Sequence, residues 1–82
     1  MIKKEKIKLS IIKLLRKRKK IKYKDIDNFD FVISKHLDSF ELLEFNMELE
    51  NKFNINLTNK EIQSKKFSKV NGLTDIIFKK IN

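Results

Sequence analysis

The feature that most restricts what this chain can become is its lack of helix breakers: it has no proline, and Gly72 is its single glycine. Nothing therefore interrupts the apolar periodicity that runs through most of the sequence. Ile7, Ile11, Leu14 and Leu15 fall at i, i+4, i+7 and i+8, one face of an amphipathic helix predicted from about Lys4 to Lys19. A second helix is predicted over 38–53, opened by Asp38 as N-cap with Glu41 three residues on. Thr58-Asn59-Lys60-Glu61 repeats that capping pattern and predicts a short helix through about Ser64. Val70, Leu73, Ile77 and Ile81, with Ile76 beside them, mark a last helix from about Lys69 to the end. Residues 20–37 lack a clear period, and a connection of that length is often functional. Within it Ile21, Tyr23, Ile26, Phe29, Phe31 and Val32 are expected to tuck inward, with Asp25, Asp27 and Asp30 left in water. The expected fold is all-α: one domain over residues 1–82, three main helices and one short helix, with a long first loop.

A chain of 82 residues has little interior in which to enclose an active site. With no cysteine there is no disulfide, thiolate metal site or cysteine nucleophile. The lone histidine, His36, cannot supply a histidine metal site or triad by itself and reads as a loop residue. No apolar run approaches membrane-spanning length, and the Lys-rich start lacks the apolar stretch of a secretory signal. A cytoplasmic, monomeric protein that catalyses nothing itself is the expectation.

The formal net charge of +9 hides a strong polarity. Residues 1–24 hold 12 Lys/Arg against the single acid Glu5, residues 25–50 hold 8 acids against Lys35, and residues 51–82 hold 7 bases against 2 acids. Such asymmetry bears on partners more than on fold. The run Arg16-Lys17-Arg18-Lys19-Lys20 complements the helix dipole as a solvated helix end. It also suits an acidic protein, a membrane surface or nucleic acid. No aromatic is interleaved with it and no nucleic-acid motif follows, so nucleic acid is the less favoured partner.

The second helix carries two apolar stripes. Leu42, Phe45, Leu49 and Phe53 form one, and Phe40, Leu43 and Met47 form the other. One stripe suffices to dock the helix; the other either widens the buried face against the long loop or stays available to a ligand or partner. Leu37-Asp38-Ser39-Phe40 at the head of this Glu-rich helix resembles the acyl carrier protein family, whose Asp-Ser-Leu or a close variant opens the second helix. The likeness extends over residues 4–81. Phe31-Val32 is similar to the family's Phe-Val before the serine, and Leu49-Glu50-Asn51-Lys52-Phe53-Asn54-Ile55 to its Leu-Glu-x-x-Phe-x-Ile. Phe67-Ser68-Lys69-Val70-Asn71 resembles its Phe-x-Thr-Val-x lead into the last helix. Lys35-His36 stand where relatives have Leu-Gly, and Phe40 where Leu is commonest.

The resemblance implies an acyl-carrier-like bundle that bears 4′-phosphopantetheine, derived from coenzyme A, on Ser39. Asp38 would help position the transferase and its cofactor. Phe40, Leu43, Met47, Glu44 and Glu50 would be read by partner enzymes. Those partners would be a phosphopantetheinyl transferase, a ligase that loads an acyl or aminoacyl group, and an acyltransferase. The Leu-Asp-Ser-Phe type is more like carriers of specialised pathways, D-alanyl carriers included, than like the carrier of lipid and fatty acid biosynthesis. On the residues alone, Ser39 also fits an ordinary first-turn serine, and the acids of the helix a solvated face. The competing function is a non-carrier interaction module, or a small nucleic-acid binder that uses the basic first helix. A transient membrane-surface role for that helix is a third expectation.

Overall fold

The computed structural model of the chain describes residues 2–22 and 24–81, so Tyr23 lies outside the described residues. Its elements are α1 (Lys4–Arg18), a 3-10 turn (Ile26–Asn28), α2 (Ser39–Phe53), α3 (Asn59–Ile62) and α4 (Val70–Ile81). Among the described residues there is no strand, only an isolated antiparallel bridge between Asp30 and Lys69. None of the described helices is long and apolar enough to cross a membrane.

The apolar stripes build one core. Ile7, Ile11, Ile12 and Leu15 of α1 are buried with Phe45 and Leu49 of α2 and with Val70, Leu73 and Ile77 of α4. Phe29, Phe31, Leu37, Leu57 and Phe67 enter from the connections, and Leu14, Ile21, Ile26, Leu42 and Phe53 pack half-buried around them. The most extensive helix pairing is α1 with α4. At its edge Lys4 Nζ lies 3.1 Å from Asp75 and 5.2 Å from the centre of the Phe78 ring. One turn further along the same face of α1, Lys8 Nζ reaches Asp27 at 3.1 Å, tying the 3-10 turn to the helix.

The helix ends follow local chemistry. Both predicted capping boxes form, Asp38 with Glu41 at α2 and Thr58 with Glu61 at α3. Asn54 stops α2 in the left-handed region at φ 54°, and the amides of Asn54 and Ile55 both donate to Glu50 O. Asparagine visits that region at small cost, which marks this position as a stop. α3 is shorter than predicted because Gln63 already leaves the helix and Ser64 closes a separate turn on Glu61 O.

Gly72 lies inside α4, where glycine is otherwise costly in backbone entropy. It is needed because the helix runs against the 64–69 connection: a Cβ there would sit 2.2 Å from Lys66 O. In an unconstrained helix Gly→Ala stabilises by about 1 kcal/mol. Here Gly72→Ala should reverse that sign and cost about 2 kcal/mol, read as a lower urea midpoint.

Glu61 supports a pH test. Burial by itself raises its carboxyl, but the hydrogen bond from Lys80 and those from Thr58 outweigh it and hold Glu61 below its ordinary value of 4.5. Lys80 Nζ is 2.9 Å from Glu61 Oε1 and joins α4 to α3. A depressed carboxyl contributes stability above its ordinary value and loses it as pH falls through the folded value. Glu61→Gln, which keeps a side chain suited to the capping box, should therefore lose less stability than the parent as pH drops below 4.5. Urea titrations at neutral and acid pH check it; parallel losses would refute it.

Candidate functional site

Residues 29–37 deliver the chain to the start of α2, and their conformation is fixed from three sides. Phe31 N–H donates to Ser68 O at 3.0 Å, and Val70 N–H to Phe29 O at 3.3 Å. Asp30 was expected in water. Instead its Oδ1 accepts from the amides of Val32 (3.0 Å) and Ile33 (2.8 Å), and its Oδ2 from Ser68 Oγ at 3.0 Å. Such an Asx-type turn satisfies amides that no regular element pairs. Asp25 accepts from Asn28 Nδ2 at 2.7 Å, so it too holds a turn. Phe31 is buried with its ring edge-on to Phe45 (5.4 Å) and Phe67 (6.0 Å). Val32, expected to tuck inward, is 37% exposed and Ile33 79%, because the turn that buries Phe31 pushes the next two side chains outward.

His36 is the residue the sequence hid. It is buried, its Nε2–H donates to Leu15 O at 2.8 Å, and its ring meets Phe29 edge-on at 5.4 Å. Leu15 lies in the last turn of α1, where its carbonyl already accepts from Lys19 N–H at 3.4 Å. The histidine adds a second, shorter donor to that carbonyl and so locks the loop onto α1. Just before it, Lys35 takes φ 59°. The left-handed region costs an ordinary residue about 1–2 kcal/mol.

The loop ends at Asp38. One carboxylate oxygen accepts from Glu41 N–H at 2.8 Å, and Asp38 N–H donates to Glu41 Oε1 at 3.2 Å. That box uses two of the four amides that a helix start leaves unpaired, so Ser39 and Phe40 keep theirs. Ser39 is the first residue of α2, exposed, and no hydrogen bond engages its hydroxyl among the described residues.

The two stripes of α2 separate cleanly. Phe45 and Leu49 are buried, whereas Phe40, Leu43 and Met47 are 69%, 59% and 57% exposed. The second stripe therefore does not widen the core; it is an apolar row that starts beside Ser39. The acids divide as well. Arg18 of α1 donates to Glu44 at 3.4 Å and to Glu48, and Lys17 stands 3.7 Å from Glu48. Glu50 is half-buried and its Oε2 accepts from Leu57 N–H at 2.8 Å, fixing the connection after α2. Glu44 keeps an exposed flank beside the apolar row, while Glu50 carries an internal load. Asn46, buried on α2, leaves Oδ1 without a partner among the described residues.

The described residues hold no cluster of His, Cys, Asp or Glu suited to a metal ion. Comparisons with protein-family models, with curated proteins and with solved structures find no match to this chain.

The burial of His36 and its bond to Leu15 O predict a stability effect out of proportion to a loop residue. His36→Ala should cost about 3 kcal/mol, from the lost hydrogen bond and the cavity beside Phe29. Chemical denaturation measures it; a change within about 0.5 kcal/mol, usual for surface sites, would rule the role out.

Proposed function

We propose that the chain is an acyl carrier protein, which bears an acyl or aminoacyl group as a thioester on 4′-phosphopantetheine attached to Ser39. The observation that carries this reading is the state of Ser39. It is an exposed, unengaged hydroxyl on the first residue of α2, next to an N-cap that leaves two amides free, at the head of an exposed apolar row. These residues fit the group. A phosphodiester on Ser39 would lie beside the free amides of Ser39 and Phe40 and the positive end of the α2 dipole.

The arm, when bound, supplies the thiol that a cysteine-free chain lacks. The chain's own work is to hold Ser39 outward on a rigid helix end and to offer Phe40, Leu43 and Met47 as adaptable apolar contacts. Asp38 contributes by fixing the first turn and Glu44 by its exposed charge at the row's edge. Partners would be the phosphopantetheinyl transferase, a loading ligase and an acyltransferase of a specialised biosynthetic pathway in the cytoplasm.

A second reading, a non-carrier interaction module, draws on the outer face of α1, where Leu9 is exposed among Lys6, Lys13 and Arg16. Incubation with coenzyme A and a broad-specificity phosphopantetheinyl transferase separates the two. One phosphopantetheine increment in intact mass, mapped to the Ser39 peptide and abolished in a folded Ser39→Ala protein, is the expected outcome. No increment on folded parent protein, or an increment that persists in Ser39→Ala, would refute the assignment.

A further inference from the structure

The cations of this chain are not alike. Lys4, Lys8, Lys17, Arg18 and Lys80 each meet a carboxylate. Lys19, Lys20, Lys22 and Lys35 meet none among the described residues, yet they come together. They line a depression of about 340 Å³ whose remaining walls are Ile21, Phe29, Ser34 and His36. No carboxylate lines it. Four lysines that meet no carboxylate therefore line one concavity, from the end of α1 on one side and the 31–37 turn on the other.

That turn carries a second feature. Val32 and Ile33, immediately before Ser34 and Lys35, are exposed, Ile33 being 79% so. Their exposure is enforced, because Asp30 fixes both amides and Phe31 takes the inward place. Lys35 holds its position despite a positive φ that glycine would adopt freely. The same turn thus carries exposed aliphatic side chains next in the chain to Ser34 and Lys35, which line the depression.

We propose that this end docks on the anionic surface of a lipid bilayer, with the lysines over the headgroups and Val32 and Ile33 dipping to the acyl boundary. Paired apolar and polybasic contact is what an interfacial anchor needs, since neither contribution holds well alone. The residue types favour lipid over the other anionic surfaces. Protein interfaces are depleted in lysine and enriched in arginine and aromatics. A nucleic-acid backbone has no hydrocarbon to cover an exposed isoleucine, and its single-strand sites rely on stacked aromatics. The proposal does not depend on Ser39, and its test leaves that residue intact.

The test is cosedimentation of the full chain with phosphatidylcholine vesicles, with and without phosphatidylglycerol. Binding is expected only with the anionic lipid and should weaken as salt rises. Lys20→Gln and Lys35→Gly should each lower the partition coefficient about fivefold. Lys35→Gly also relieves the left-handed strain, so weaker binding there is not a folding defect. Ile33→Ser should lower it about tenfold. Lys79→Glu, on the last turn of α4 and outside the depression, should have the smaller effect. Equal binding to the uncharged vesicles, no binding to either, or indifference to Ile33→Ser would overturn the proposal. So would an equal loss in Lys79→Glu, which would mean that net charge alone acts, or capture by duplex DNA in place of vesicles at the same salt.

Discussion

Phe31 is the hinge of the packing. Its ring fills the space between Phe45 of α2 and Phe67 ahead of α4, and its amide bonds to Ser68 O. One residue thereby joins the long first connection to two helices that are distant in sequence. Burying a phenylalanine contributes about 1.5–3 kcal/mol, and edge-to-face ring contacts add to it. The geometric consequence matters more than the energy. With Phe31 fixed and Asp30 holding the next two amides, the chain has one short path to Asp38. His36 nails that path to the end of α1. The start of α2, and with it the direction of Ser39, inherits its rigidity from these contacts.

The polarised charge of the sequence resolves into two kinds of surface. Where the end of α1 faces α2, Arg18 and Lys17 meet Glu44 and Glu48, so a basic helix and an acidic helix neutralise each other. Arg18 is only 16% exposed, which makes its fork the stronger part of the contact. A few residues later the acids run out, and Lys19, Lys20 and Lys22 turn to the 34–36 side without partners. The acidic middle of the sequence therefore does not become an acidic face. Three of its carboxylates, those of Asp27, Glu44 and Glu48, are matched by α1, Glu50 is drawn into the connection after α2, and Asp30 into its own turn.

Much of this was legible in the sequence because it is local. Helix extents follow from the stripes of Ile7–Ile11–Leu15 and Val70–Leu73–Ile77, and both capping boxes from residues three apart. Ser39 at the head of α2 follows from the same local rule. What was not legible depends on contacts across long separations. His36 reads as a loop residue until Leu15, 21 positions earlier, presents its carbonyl. Asp30 reads as solvated until Ser68 arrives from 38 positions away. Gly72 looks like a flaw in a helix until Lys66 O is placed against it. Both stripes of α2 are apolar on a helical wheel, and packing of Phe45 and Leu49 with Phe31 and the rest of the core decides which of them stays in water.

The two proposed surfaces lie on one continuous stretch of chain. Lys35 and Ser39 are four residues apart, a separation of at most about 14 Å even if the chain were fully extended. The path between them is buried at His36 and Leu37 and capped at Asp38, so that separation is fixed rather than fluctuating. A core this small leaves little interior in which to enclose a reaction, and the proposed carrier role asks only where a group is held in space. With Lys35 and Ile33 against a bilayer, Ser39 would stand within a short, rigid distance of the headgroups. A group carried there would be delivered at the membrane surface, and the basic end of α1 would then have a purpose that the carrier role alone does not give it.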